Sequence, residues 1–205
     1  MIDINLFQKY MKKFIPWIVV LAVVALIGVW FVGDYNEMVT KEESVETVWG
    51  DVQTYYQRRA DLIPNLVNTV KGYAGHENAT LQAVVEARAK ATQITIDPTN
   101  ATPEQLAAYQ SAQGELSQAL GRLMAISEAY PDLKANENFR DLQAQLEGTE
   151  NRIATARQNY NEAVKDFNTY IRRFPRNIVA ALFGFEKKNY FEADALAAKA
   201  PEVNF

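Results

Sequence analysis

The chain of 205 residues carries 21 basic and 25 acidic side chains, a formal charge of −4, and 48% hydrophobic residues. The charges are interspersed, so no basic stripe indicates a nucleic-acid partner. The absence of cysteine excludes disulfides, thiolate metal sites and cysteine nucleophiles, and one histidine is too few for a metal site built on several imidazoles. We therefore expect no enzymatic activity, no cofactor and no small-molecule substrate.

An uncharged apolar segment occupies residues 14–33. About 20 apolar residues, at about 1.5 Å each, cross a hydrocarbon core of about 30 Å. Trp17 and Trp30 lie toward the two ends, as is typical of interfacial aromatics. We predict a transmembrane helix that contacts the lipid bilayer through 14–33. A cleaved signal peptide is the alternative, although its apolar core is usually only about 7–15 residues long.

The charges on either side of this segment predict its orientation. Lys9, Lys12 and Lys13 precede it, whereas acidic residues dominate the first positions after it. Because basic flanks stay in the cytoplasm, residues 1–13 are predicted to be a cytoplasmic segment. The protein is then a single-pass membrane protein with an extracytoplasmic domain, which is periplasmic if the cell has two membranes and residues 14–33 cross the inner one.

Beyond the apolar segment, hydrophobic residues recur at three- and four-residue steps as far as Val70. This spacing predicts one long helix. No strong breaker separates it from the transmembrane segment, so the two are expected to form one continuous stalk. Pro64 lies inside the stripe and predicts a kink.

Two more helical segments follow. Helical spacing resumes at Leu81 and precedes a loop over residues 92–102. Thr102, Pro103 and Gln105 then have the spacing of a capping box at a helix start, and Pro131 is expected to end that helix.

A third long helix is predicted over residues 136–174, with Pro175 as its stop. Its apolar residues fall at heptad spacing, which is typical of a coiled-coil seam. The main seam positions are Phe139, Leu146, Ile153, Tyr160, Phe167 and Phe174. We predict an all-α fold in which three main helices form an elongated antiparallel bundle over residues 34–175.

Several polar residues are candidates for interaction rather than catalysis. Arg58, Arg59 and Asp61 flank the apolar stripe, where either an ion-pair network with Glu147, Glu150, Arg152 or Arg157 or a partner-docking patch is expected. The adjacent pair His76 and Glu77 is expected to make a cap or a polar interhelical bond, because neighbouring helix positions do not converge on one ion.

The C-terminal region over residues 176–205 is predicted to be an amphipathic tail. Arg172, Arg173 and Arg176 precede apolar residues that include Phe183 and Phe185. Such a basic amphipathic segment is suited to an anionic membrane surface or to a second protomer, and it can also fold back on its own bundle.

The chain resembles the LemA family of bacterial membrane proteins. The matching motifs are Tyr35-Asn36, Gln57-Arg58-Arg59, Asp61 to Val67 with Asn65, Val70 to Ala74, His76-Glu77, Leu123-Met124-Ala125, Tyr130-Pro131, Thr149 to Ile153, Tyr160-Asn161 and Phe174-Pro175. The resemblance implies an N-terminal anchor, a long-helix bundle and no known catalytic activity.

Two functions follow as hypotheses. The first is a membrane-anchored structural or scaffolding protein that forms homo-oligomers through its helical seams and presents a surface to other envelope proteins. The second is an adaptor or regulator of a membrane-protein quality-control protease of the HtpX type, a link that the resemblance implies.

Overall fold

A computed structural model describes residues 4–98 and 100–192, with the helical backbone alone for residues 4–13. The described part contains helices and no strand, which confirms the all-α prediction. Its six helices are α1 (Ile4–Tyr73), α2 (Asn78–Gln93), α3 (Pro103–Ser127), α4 (Pro131–Ala135), α5 (Glu137–Arg172) and α6 (Arg176–Phe183). The side chains of the flanking lysines at 9, 12 and 13, and the tail beyond residue 192, lie outside the described residues.

Helix α1 combines the apolar segment and the first helix of the bundle in one element. It passes through Pro16 and Pro64 without a break, so the predicted continuous stalk is confirmed. Its apolar part is exposed except near its end, where Phe31 packs against the core, and it is long and apolar enough to cross a membrane. From Asp34 to Tyr73 the helix extends about 60 Å at 1.5 Å per residue.

Helices α1 and α5 form the longest interface of the bundle. They are antiparallel, because Asp34 of α1 contacts Tyr170 of α5, whereas Arg59 contacts Glu150. The predicted seam faces this interface: Phe139, Leu146, Ile153, Tyr160 and Phe167 are all buried. The seam prediction is wrong at Phe174, which is 82% exposed because α5 ends at Arg172, before that residue.

Helices α2 and α3 form a hairpin on the half of the bundle that is farther from the apolar segment 14–33. We call this half membrane-distal and the half next to the apolar segment membrane-proximal, after the candidate span. Helix α3 begins at the predicted capping box, in which the Gln105 amide donates to Thr102 Oγ1 and the Thr102 amide donates to Gln105 Oε1. Pro131 was predicted to end this helix, but α3 already ends at Ser127. Pro131 occupies the first turn of α4, where its missing N–H costs nothing.

The chain reverses direction after α6. Gly184 has a φ of 77° in the left-handed region that favours glycine, and the Phe185 amide donates to the Ala180 carbonyl. Residues 185–192, the C-terminal strap, then pack back along the membrane-proximal half of the bundle. The strap meets the α2–α3 hairpin where Asn189 Nδ2 donates to the Ala101 carbonyl at 2.9 Å.

Candidate interaction sites

The inward face of α1 follows a four-three spacing from Asp34 to Val70 and includes three ionisable residues. These are Asp34, Glu42 and Arg59, within a stripe otherwise composed of Met38, Val45, Trp49, Val52, Tyr56, Ile63, Leu66 and Val70. A charge at such a position is costly unless it is paired. Each of the three has a partner, and the pairs are Asp34 with Arg176, Glu42 with Lys188 and Arg59 with Glu150.

Arg59 is the most deeply buried of these charges, with 1% of its surface exposed. Its Nη1 donates to Ser117 Oγ at 2.6 Å and to Glu150 Oε1 at 2.8 Å. Its Nη2 donates to the side-chain and backbone oxygens of Gln113, and Gln113 Nε2 in turn donates to the Ala91 carbonyl. The guanidinium therefore links α1 to α3 and α5 and, through Gln113, to α2.

The sequence left two roles open for Arg58, Arg59 and Asp61, an ion-pair network or a partner-docking patch. These contacts decide between the two roles for Arg59 only. Arg59 forms an ion pair with Glu150, one of the partners named from the sequence, and has no surface left for docking. The signal that separates it from Arg58 is the spacing of α1, because Arg59 lies on the buried stripe four residues before Ile63. Among the other predicted partners, Arg152 lies 6.0 Å from the ring centre of Tyr55 instead.

Arg58, Asp61 and Asn65 lie together on the outer face of α1. Their spacing of three and four residues places them in one row, and all three are exposed. Gln57 Nε2 donates to Asp61 Oδ1 at 2.7 Å. The row borders an open groove that Leu62 and Gln145 also line.

His76 and Glu77 lie at the membrane-distal tip, between α1 and α2. His76 is exposed, whereas Glu77 is half-buried and accepts a 3.2 Å hydrogen bond from the Tyr130 hydroxyl. Burial, followed by this hydrogen bond, raises the pKa of Tyr130. Glu77 therefore makes the polar interhelical bond that was one of the two expected roles, and its side chain does not cap α2.

A second polar cluster lies at the end of the apolar segment. Asp34 Oδ1 accepts hydrogen bonds from the Tyr170 hydroxyl at 3.0 Å and from Arg176 Nε at 3.1 Å. The Arg176 guanidinium also lies 4.1 Å from the centre of the Tyr170 ring. Burial, followed by the bond to Asp34, raises the pKa of Tyr170 to about 12. The cluster joins α1, α5 and α6.

The remaining predicted tail residues divide between the surface and the bundle. Arg172, Arg173 and Phe183 are exposed, and the Phe183 ring also contacts Tyr35, with 4.8 Å between ring centres. Phe185 is half-buried and contacts both Tyr35 and Phe167. The described part of the tail therefore folds back onto its own bundle while leaving the outer face of α6 uncovered.

Two asparagines of α5 hold the C-terminal strap. Asn168 exchanges two 2.9 Å hydrogen bonds with the backbone of Lys188, and Asn161 exchanges two with the backbone of Phe191. Sequence reasoning did not identify these contacts. Their signal is the seven-residue separation of the two asparagines, which repeats the heptad of the neighbouring seam.

The ring of Phe191 completes an aromatic cluster in the membrane-proximal core. It stacks on Trp49 at 5.5 Å and meets Tyr160 edge-on at 5.2 Å. Tyr109 contacts the opposite side of the cluster through Trp49. Burial raises the pKa of Tyr160 to about 12 and also raises that of Tyr109. These aromatics fill the core between α1, α3, α5 and the C-terminal strap.

The described residues contain no group of three or more histidine, cysteine, aspartate or glutamate side chains arranged to hold a metal ion. The buried charged residues Asp34, Arg59 and Lys188 instead pair with side chains of opposite charge. The arrangement is suited to fixing helices against one another and to presenting exposed rows of side chains.

The chain matches known bacterial proteins over most of its length. The model of the LemA family matches residues 48–205. Magnetosome proteins MamQ 1 and MamQ 2 of Paramagnetospirillum magneticum are each 30% identical over 190 residues, which cover 84% of this chain and 70% of the relative. Protein LemA of Metamycoplasma hominis is 26% identical over 166 residues, covering 81% of this chain and 72% of that protein. None of these names denotes an enzymatic activity.

Proposed function

The chain belongs to the LemA family, and on that premise we propose that it is a membrane-anchored, non-enzymatic scaffolding protein that presents an interaction surface at the bacterial envelope. The observation that supports this most directly is the continuity of α1. One helix contains both the candidate membrane span and the inward stripe of the bundle. Because no hinge loop separates the two parts, the outer surface of the bundle is held at a fixed height above the bilayer.

The row of Arg58, Asp61 and Asn65 is our candidate for the presented surface. It begins 24 residues beyond Asp34, which corresponds to about 36 Å at 1.5 Å per residue. Arg59 lies beside the row but turns inward, and its contacts to α3 and α5, extended to α2 by Gln113, fix the rotation of α1. A rigid backbone with an exposed polar row is suited to docking a partner at low conformational cost.

Self-association is part of the proposal, but the seam residues are buried within a single chain. Copies would therefore associate through outer surfaces rather than by exchanging seams. Mass measurement in mild detergent tests this: we expect a defined oligomer larger than one chain, whose size is unchanged when Phe167 is replaced by leucine within the core. A strict monomer would refute self-association and leave the scaffold proposal to the test that follows.

Cross-linking in intact cells followed by mass spectrometry tests the scaffold itself. We expect envelope proteins to be attached to the unmodified chain and to be lost when the charges are exchanged in Arg58→Glu/Asp61→Lys. Arg140→Glu/Asp141→Lys is the control, because those two residues are also oppositely charged and exposed, and their exchange also leaves the net charge unchanged. If both variants retain every attached protein, the presented surface lies elsewhere, and if nothing attaches to any chain the scaffold proposal is wrong.

The second candidate is an adaptor for a membrane protease of the HtpX type. It uses the same exposed row, and its support is that a row about 36 Å from the anchor suits contact with the extramembrane part of another membrane protein. The two functions differ in their consequences. An adaptor changes how fast the protease degrades a membrane substrate, whereas a scaffold changes which proteins are recovered together without changing that rate.

A further inference from the structure

Helix α6 leaves a row of large apolar side chains uncovered by the bundle. The exposed fractions are 82% for Phe174, 51% for Ile178 and 68% for Leu182, while Phe183, 53% exposed, lies farther round the helix on the side of Tyr35. The opposite face of the helix is satisfied, since Val179 and Ala180 are buried in the membrane-proximal core. Contiguous apolar surface of this kind usually marks contact with a membrane or with another protein.

The position of α6 along α1 favours the membrane, rather than another protein, as the partner of this apolar surface. Arg176, at the start of α6, binds Asp34, and Phe183, at its end, contacts Tyr35. Asp34 is the first residue after the uncharged segment 14–33. Because both ends of an eight-residue helix contact one turn of α1, α6 crosses α1 instead of running along it. With residues 14–33 in the bilayer, this position places α6 at the level where α1 leaves the hydrocarbon core.

The charges around α6 complement an anionic lipid surface. Between residues 172 and 187 the chain has four basic residues, Arg172, Arg173, Arg176 and Lys187, and one acidic residue, Glu186. Arg176 is bound to Asp34, whereas Arg172, Arg173 and Lys187 are exposed. A basic helix with a large apolar face is typical of segments that lie at the boundary between headgroups and acyl chains. Each basic residue near the surface strengthens attraction to anionic lipid.

We propose that α6, together with Phe174, is an interfacial membrane helix that inserts its apolar row into the leaflet from which α1 emerges and binds anionic headgroups through Arg172 and Arg173. This inference rests on the proposed anchoring of residues 14–33. The Asp34–Arg176 and Asp34–Tyr170 bonds then connect the two membrane contacts. The bundle is attached to the bilayer at two points, which restricts its tilt and its rotation about α1.

The absence of native cysteine allows one spin label at a time to be placed in the full chain. Three labelled variants are reconstituted in vesicles of phosphatidylglycerol and phosphatidylcholine in equal parts. Leu182→Cys reports on α6, Leu21→Cys on the apolar segment and Val85→Cys on an exposed apolar site of α2 far from the membrane. Collision with oxygen, which concentrates in lipid, is compared with collision with a water-soluble nickel complex.

We expect the labels at Leu182 and Leu21 to collide with oxygen more than with nickel, and the label at Val85 to show the reverse. In the Arg172→Gln/Arg173→Gln background, or in pure phosphatidylcholine, the label at Leu182 shifts toward nickel while the label at Leu21 stays unchanged. A water-exposed Leu182 label beside a lipid-exposed Leu21 label overturns the inference and leaves the anchor intact. Shielding of Leu182 from both reagents indicates a second copy on α6 and also overturns it. If the Leu21 label is itself water-exposed, the anchoring and this inference are both wrong.

Discussion

Arg59 Nη1 donates a 2.8 Å hydrogen bond to Glu150 Oε1, across 91 positions of sequence. The two ends of this bond differ in their surroundings. The Arg59 side chain is 1% exposed, whereas that of Glu150 is 41% exposed and can be hydrated on its own. Removing the carboxylate therefore leaves a buried cation with neutral acceptors only, and removing the guanidinium leaves a carboxylate that water can solvate.

This asymmetry predicts that Glu150→Leu destabilises the bundle more than Arg59→Met does. We expect Glu150→Leu to lower the free energy of unfolding by about 2–3 kcal/mol, less than the roughly 3–5 kcal/mol cost of breaking a fully buried pair, because Glu150 is partly exposed. Adding Arg59→Met should recover part of that loss, because the pair is then replaced by apolar groups. Urea unfolding of the full chain in mild detergent, followed by circular dichroism, measures both effects.

The control for this cycle is Glu147→Leu. Glu147 is one turn away on the same helix, is exposed and accepts only a local hydrogen bond from Gln143. Its substitution should change stability by less than about 0.5 kcal/mol. If the Arg59→Met/Glu150→Leu variant lost as much free energy of unfolding as the two single variants combined, the idea that the unpaired buried Arg59 causes the destabilisation would be wrong.

The C-terminal strap gives a prediction about local rather than global stability. Asn168→Leu removes both hydrogen bonds between Asn168 and the backbone of Lys188. Two bonds at about 1 kcal/mol each correspond to roughly thirtyfold faster amide exchange in the strap. Hydrogen exchange with mass spectrometry of a peptide covering residues 185–192 measures this rate.

Asn151→Leu is the matched control for the strap, because Asn151 is exposed on the same helix and its side chain makes no strap contact. In the Asn151→Leu protein, the amide exchange rate of residues 185–192 should equal that of the unmodified chain. Faster exchange throughout α5 in the Asn168→Leu protein would show that the strap is not a separate unit and would refute the prediction.

Local sequence signals predicted most of the helical framework. Thr102 and Gln105 identify the start of α3 because a capping box depends only on residues within one turn. The heptad spacing from Phe139 to Phe167 identifies α5 and its buried face for the same reason. The continuity of α1 was predicted because Gly33 alone does not break a helix. In the structure α1 runs through Gly33, and no other group lies within 4 Å of where a Cβ would be at this position.

What could not be predicted depends on contacts between distant segments. The heptad separation places Asn161 and Asn168 on one face of α5, but nothing local to Lys188 names it as the partner of Asn168, and only the folded chain brings them together. Arg58 and Arg59 are adjacent and chemically equal, so composition alone cannot show which of them is buried. The four-three spacing of α1 places Arg59, and not Arg58, on the buried face. A charged residue at a core position nevertheless normally argues against such an assignment.

The capping box allows a direct test of how much a single local signal contributes. Thr102→Ala removes the hydroxyl that accepts from the Gln105 amide, and we expect the free energy of unfolding to fall by about 1 kcal/mol. Thr102→Ser keeps the acceptor and should stay close to the unmodified chain. Chemical denaturation compares the three proteins. Equal losses for alanine and serine would mean that the methyl group, rather than the hydrogen bond, stabilises this helix start.

The bond from Tyr170 to Asp34 predicts a pH dependence at the membrane-proximal end of the bundle. Burial and the Asp34 carboxylate raise the pKa of Tyr170 from 10 to about 12. The folded state thus holds this proton more tightly than the unfolded state does. The corresponding stability is complete below pH 10 and is lost as the pH rises through about 12.

Asp34→Asn should lower the pKa of Tyr170, because the substitution removes the negative charge that disfavours the phenolate. The pKa should nevertheless stay above 10, since burial is its largest cause. Absorbance near the phenolate maximum, corrected with Tyr170→Phe in the same background, isolates this one side chain. Asp166→Asn is the control, because Asp166 is an exposed acid one turn earlier on α5. An unchanged Tyr170 titration in Asp34→Asn would show that burial alone raises the pKa, and an equal shift in both variants would assign it to general charge rather than to the bond with Asp34.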